Sequence, residues 1–215
     1  MIERDYIMRM IQMLVQALAD IIFLRRKREY PQALNKIRTT SKQLFGMDMD
    51  VLRHLSDTQI VDLLCIDPAI GKGRCYAAGM LLKEEAQISE EMNKTEGIAE
   101  TYLKSLSLLT ESGIRNKKSI DVGQDAAVDE LVLKLENREI PIHILKKVFR
   151  YYEVTLHYAK AGTILLQVID KEPGFLEEGI QFYARLRKKS DDELSNGGLS
   201  RATIDEELNK IAAKM

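Results

Sequence analysis

Two cysteines, Cys65 and Cys75, stand ten positions apart in a chain of 215 residues, with no second pair to join them. A structural zinc site takes a full tetrahedral ligand set, and the three histidines that could complete one, His54, His143 and His157, are scattered along the chain. The pattern fits two buried thiols in a reducing cytosol. Glu84, Glu85, Glu90 and Glu91 are dense enough to raise the question of a carboxylate metal site. A di-iron bundle draws ligands from Glu-x-x-His, a spacing that occurs nowhere in the chain, so the cluster reads as a solvated acidic helix face. Gly71-Lys72-Gly73-Arg74 invites a phosphate-binding reading. The G-x-x-x-x-G-K-[ST] spacing is absent, and no strand precedes the run, so nucleotide binding is not expected. Arg25-Arg26-Lys27-Arg28 is a single basic run without interleaved aromatics, better suited to complement a helix C-terminus than to read an anion. The types and spacings assign no catalytic residue, no metal and no cofactor.

Composition narrows the class further. Hydrophobic residues make up 45% of the chain, enough for a full core, and the length fits one or at most two domains, with the helical pattern read as one over 1–215. Charged residues reach 30%, yet the net charge is only −1 and the pI is near 6.4, which argues against a globally basic nucleic-acid binder. Four prolines, 12 glycines and no tryptophan suit a helix-rich protein. The most apolar stretch, Tyr6 to Leu24, carries Arg9, Gln12, Gln16 and Asp20, too polar to cross a membrane alone. The acidic start Met1-Ile2-Glu3-Arg4-Asp5 argues against secretion, and the expected location is the cytoplasm.

The elements that must position any site are all helical. The periodicity predicts a first helix over about 3–28, apolar around most of its circumference, and therefore either sandwiched centrally or lying in a homo-oligomer seam. Tyr30-Pro31-Gln32-Ala33 opens a second helix, with Pro31 in its first turn and Gly46 beyond its end. An apolar link over 47–55 follows, then a capping box at Ser56-Asp57-Thr58-Gln59. Pro68 and Gly71 to Gly73 predict a loop before two helices over about 74–92 and 96–111. The stretch 112–121 predicts a mobile loop or hinge, followed by helices over about 124–137, from Pro141, and over about 174–189. Ser190-Asp191-Asp192-Glu193 is a second capping box, Asn196-Gly197-Gly198 a turn, and 200–214 a polar terminal cap.

The segment 151–173 organises the rest. Tyr158, Ala161, Leu165, Val168 and Pro173 fall at relative offsets 0, 3, 7, 10 and 15, matching the aromatic, small, packing and terminating positions of the second helix of a tetratricopeptide (TPR) hairpin. Tyr30, Ala33 and Ile37 repeat part of that pattern. Phe149 stands where many TPR units carry glycine, and His157 falls at the break between the two helices. The start MIERDYIMRMIQML, the Tyr30-x-x-Ala33 unit, Leu55-Ser56-Asp57, the Tyr158-Ala159-Lys160-Ala161 unit and the SDDEL and GGL runs at 190–194 and 197–199 resemble an uncharacterised, mostly Gram-positive bacterial family described as TPR-like domains of unknown function. The resemblance covers the whole chain and implies a small cytoplasmic all-helical protein.

The fold class expected is thus all-α, an α-α superhelix of TPR-like stacked hairpins. The function expected is a non-catalytic scaffold or adaptor that binds a protein or peptide on the inner helices, through Lys83, Gln87, Lys146, Lys147 and Arg150. Two alternatives come from other classes. A structural homodimer would place Met10, Leu14, Leu18 and Ile21 in its seam. An enzyme or small-molecule sensor would need a deep pocket holding two of His143, His157, Cys65, Cys75 and the tyrosines within hydrogen-bond distance, and their spacing does not bring them together.

Overall fold

Apolar residues at helical spacing, delimited by Ser, Asp, Gly and Pro, leave the chain little choice but helix. The structure, a computed structural model, describes the backbone of residues 2–212 and the side chains of residues 8–121 and 123–211. Among them are twelve α-helices and one 3-10 turn, with no strand; the fold is all-α. The expected extension of the last helix to Lys214 lies outside the described residues. Where the sequence predicts one domain over 1–215, the chain falls into two compact units, Met1–Glu139 and Ile140–Met215.

Unit 1 contains α1 (Ile2–Arg26), α2 (Tyr30–Phe45), α3 (Met49–His54), α4 (Asp57–Leu64), α5 (Pro68–Glu91), α6 (Ile98–Asn116) and α7 (Val122–Lys134). Several boundaries follow from local chemistry. Gly46 ends α2 in the left-handed conformation (φ 74°) and returns its N–H to the Lys42 carbonyl. Ser56 and Gln59 form the full reciprocal capping box of α4. The link over 47–55 holds a short helix, α3, nucleated by the Asp48 side chain accepting from the Asp50 N–H.

The centre of unit 1 is α5, which packs against α1, α2, α4 and α6. This corrects two expectations. Residues 68–73 are not a loop: Asp67 caps α5, Pro68 takes its first position, and Gly71 and Gly73 are helical. The sandwiched helix is α5 and not α1, which is covered within unit 1 on the side facing α2 and α5. Small residues let α5 be surrounded. A Cβ at Gly79 would sit 2.8 Å from Cγ and Cδ2 of Leu109 on α6, and the Gly79 carbonyl accepts from Ser105 Oγ at 2.8 Å. The predicted mobile stretch is partly helix, since α6 runs to Asn116. Beyond it, Gln124 anchors the α6–α7 turn by donating to the Leu109 carbonyl at 2.7 Å.

Unit 2 contains α8 (Ile142–Val154), α9 (Tyr158–Lys171), the 3-10 turn Pro173–Phe175, α10 (Leu176–Leu186), α11 (Asp191–Asn196) and α12 (Arg201–Ala212). Helices α8 and α9 form the hairpin that the sequence predicts, with Tyr158, Ala161, Leu165 and Val168 all buried. Leu156 (φ 65°) and the N-cap residue His157 make the turn, which the His157 Nδ1–Thr155 Oγ1 contact at 3.0 Å closes. Pro173 ends the segment as expected. Phe149 fills the space that a TPR glycine would leave, meeting Phe182 edge-to-face at 5.3 Å and Phe175 at 5.9 Å. Gly197 is obligatory on steric grounds: a Cβ there would lie 2.2 Å from the Tyr158 ring. Ser190 and Glu193 form the second capping box.

Candidate functional site

The residues expected to meet a partner divide sharply. Lys83 and Gln87 are not surface contacts. Both are buried on α5, where Lys83 Nζ pairs with Glu130 at 2.7 Å and Gln87 Nε2 donates to the same carboxylate at 2.5 Å, tying α5 to α7. The seam assignment needs a similar correction. Met10, Leu14, Leu18 and Ile21 are all buried inside unit 1, on the side of α1 that faces α2 and α5. Among the described residues, the large apolar side chains of α1 that stay exposed are Met8, Met13, Val15 and Phe23.

The acidic cluster is likewise no uniformly solvated face. Residues 81–88 are buried without interruption, and Glu84 is only 3% exposed. Arg25 explains how α5 tolerates this charge: its guanidinium lies 3.4 Å from Glu84 and 3.3 Å from Glu91, and Lys83 lies 4.0 Å from Glu84. Arg25 therefore does more than complement the end of α1. Burial pushes the Glu84 carboxyl above the usual carboxylate range, with Arg25 and Lys83 opposing. Glu90 accepts from Tyr102 at 3.0 Å and pairs with Lys134 at 2.7 Å.

On another side of α5, Glu85 borders a recess of about 220 Å³ lined also by Arg53, Ser89, Lys94, Glu100 and Lys104. Burial raises the Glu85 carboxyl, and Arg53, at 3.6 Å, opposes. Lys104 is committed to the Arg53 carbonyl at 2.6 Å and to Glu100 at 2.7 Å. Arg53, Glu85, Glu100 and Lys104 link α3, α5 and α6, while one oxygen of Glu85 stays buried without a hydrogen-bond partner.

In unit 2, two of the expected residues do converge. Lys146 and Arg150, one turn apart on α8, line a recess of about 400 Å³ together with Phe149, Phe175, Glu178 and Arg185. The 3-10 turn that follows Pro173 delivers Phe175, and Lys146 Nζ stands 5.0 Å over its ring. Each cation already has a carboxylate: Lys146 pairs with Glu172 at 2.8 Å, Arg150 with Glu153 at 2.5 Å, and Arg185 with Glu153 at 2.8 Å and Glu178 at 2.9 Å. The recess is therefore charge-balanced, with an aromatic component and a polar border. Lys147 does not line it. Glu178 and Arg185 had no sequence signal of their own, and the periodicity marked Phe175 only as an inward residue, because all three reach Lys146 and Arg150 through the turn at Pro173.

The comparisons with known proteins bear on the whole chain. A family model described as "Family of unknown function (DUF6483)" matches residues 1–215. The chain belongs to that family. This agrees with the resemblance to an uncharacterised domain of unknown function. No curated protein and no solved structure matches the chain.

Among the described residues, no helix is long and apolar enough to cross a membrane, and no three His, Cys, Asp or Glu residues are placed to hold a metal ion. Of the groups that an enzyme would need, Cys65 and Cys75 are brought together, their sulfurs 3.4 Å apart.

Proposed function

We propose that this protein is a non-catalytic, cytoplasmic helical adaptor that binds a protein or peptide segment in the recess of unit 2. The α8–α9 hairpin motivates a TPR-like reading of that unit, in which the first helix of the hairpin presents the binding residues. The observation that carries the proposal is the convergence of Phe149 and Phe175 with Lys146, Arg150, Glu178 and Arg185 in one concavity. A partly exposed aromatic ring, Phe175, set against the buried Phe149 and bordered by charges, is what a short peptide motif requires. The chemistry favours an apolar side chain against Phe175 with a flanking carboxylate on Lys146 or Arg150. Glu172, the partner of Lys146, is 46% exposed, where ion pairs contribute about 0–1 kcal/mol, so a ligand carboxylate competes for Lys146 at little cost; Glu153, 13% exposed and shared by Arg150 and Arg185, is held more firmly.

Peptide-display selection against the immobilised full chain tests this. Enriched peptides should pair an aromatic or leucine residue with Asp or Glu. Their affinity should fall at least about tenfold for the double variant Lys146→Glu, Arg150→Glu, equivalent to about 1.4 kcal/mol. Binding that is indifferent to the double variant, with its helical circular dichroism intact, refutes the site.

A second reading, a homodimer built on α1, is favoured by one observation: Met8, Val15 and Phe23 are each more than half exposed, at 51%, 53% and 57%. Its seam would be this outward side of the helix.

A further inference from the structure

The corner between α4 and α5 holds a pair of thiols that the adaptor reading does not use. Cys65 caps the C-terminus of α4 and is half-buried, whereas Cys75, about two turns into α5, is fully buried. Their sulfurs lie 3.4 Å apart, a hydrogen-bonding separation from which a short movement reaches covalent distance. Gly71 permits the approach. A Cβ at that position would sit 2.8 Å from Cys65 Cα and 2.9 Å from its Sγ, so only glycine lets the first turn of α5 rest on Cys65.

The two sulfurs differ in character. The two thiols share a hydrogen bond in which either can donate, and this bond with Cys75, helped by the Arg115 guanidinium, holds the Cys65 thiol down to about 7. Burial, Glu111 and Asp62 pull the other way. Arg115 is itself steadied by Glu111 at 2.7 Å. Cys75 is pushed upward, first by its bond to Cys65 and then by burial, and stays a thiol. One sulfur is thus accessible and ionisable, and the other is sequestered and protonated beside it.

We propose that Cys65 and Cys75 form a reversible dithiol–disulfide site oxidised by hydroperoxides, with Cys65 as the attacking sulfur and Cys75 as the resolving one. The Cys65 thiolate attacks the terminal oxygen of ROOH. An S–O bond forms, the O–O bond breaks, and the departing RO⁻ takes a proton from water. Cys65 has lost two electrons to become a sulfenic acid, and the peroxide has gained them as an alcohol or water. The Cys75 sulfur then attacks the sulfenyl sulfur. The S–S bond forms, the S–O bond breaks, and hydroxide leaves with the Cys75 proton as water. A dithiol reductant reverses the change, returning two electrons and two protons as it becomes a disulfide itself. The bond would staple the last turn of α4 to α5.

Treating the reduced full-length chain with a modest excess of hydrogen peroxide tests the site. Both thiols should disappear together, and peptide mapping should show Cys65 joined to Cys75 with a loss of about 2 Da, restored by dithiothreitol. Mapping is needed because nine methionines also take up oxygen. In Cys75→Ser the reaction should stop at a Cys65 sulfenic acid that dimedone traps. In Gly71→Ala, where the sulfurs are forced apart, disulfide formation should slow at least about tenfold against wild type. The wild-type measurement depends on no variant's folding. Unreacted thiols, stepwise oxygen addition at Cys65 without cross-linking, or a disulfide formed only between chains would each overturn the proposal.

Discussion

Replacing Gly79 with alanine tests the claim that α5 is the crowded centre of unit 1. Alanine is the better helix former, and in an open helix the change stabilises by about 0.5–1 kcal/mol. At this position the new Cβ would lie 2.8 Å from both Cγ and Cδ2 of Leu109 and 3.3 Å from the Leu109 backbone nitrogen. Leu109 is fully buried, and its backbone belongs to α6, so rotating the side chain alone cannot relieve the contact. Overpacking of this kind costs about 1–3 kcal/mol, and two side-chain carbons at 2.8 Å with the backbone nitrogen behind them at 3.3 Å place Gly79 in the upper half of that range. The net expectation is a loss of about 1–2.5 kcal/mol. At a urea dependence of about 2 kcal/mol/M, the unfolding midpoint followed by circular dichroism should fall by about 0.5–1.2 M. Gly123, exposed at the start of α7 with only the Asp121 carboxylate as near as 3.4 Å, is the matched control. There alanine should stabilise by about 0.4–1 kcal/mol through the unfolded chain. A Gly79→Ala midpoint equal to or above wild type would show that α5 and α6 do not cross closely at that residue.

Two neighbours on α1 separate its buried and outward sides. Leu14→Lys places a charge at a position with 0% exposure and should unfold or aggregate the chain, whereas Val15→Lys, at 53% exposure, should leave circular dichroism unchanged. If wild type sediments as a dimer and Val15→Lys as a monomer, the outward side of α1 is the seam; a wild-type monomer at high micromolar concentration removes that reading. The Cys65 thiol, lowered to about 7 by its bond with Cys75 and by Arg115, is mostly protonated below that pH and mostly thiolate above it. Its alkylation rate by iodoacetamide should therefore rise between about pH 6 and 8 and level off, while Cys75 stays unreactive; a rise continuing towards pH 9 contradicts the lowering.

What the sequence made legible was local. Capping boxes at Ser56 and Ser190, the left-handed Gly46, Pro31 at a helix start and the offsets from Tyr158 to Pro173 depend on residues a few positions apart, and each appears where expected. What it hid depended on partners far along the chain. Lys83-Glu84-Glu85 has the composition of a solvated face. It is buried because Arg25, Arg53 and Glu130 arrive from three other helices to neutralise it. The apolar circumference of α1 divides in two, since α2 and α5 cover one side while Met8, Val15 and Phe23 face outward. A usable signal was present nevertheless. Gly71, Gly73, Ala77, Ala78, Gly79 and Ala86 place small residues around α5, and a helix can be packed on several sides only if its neighbours can approach on each. Small residues distributed around a helix, rather than the total of apolar ones, marked the centre. The same feature bears on the dithiol, because Gly71 both lies in the first turn of the central helix and admits Cys65 to within reach of Cys75. A side chain at Gly71 should therefore loosen the α4–α5 corner and separate the sulfurs in one step.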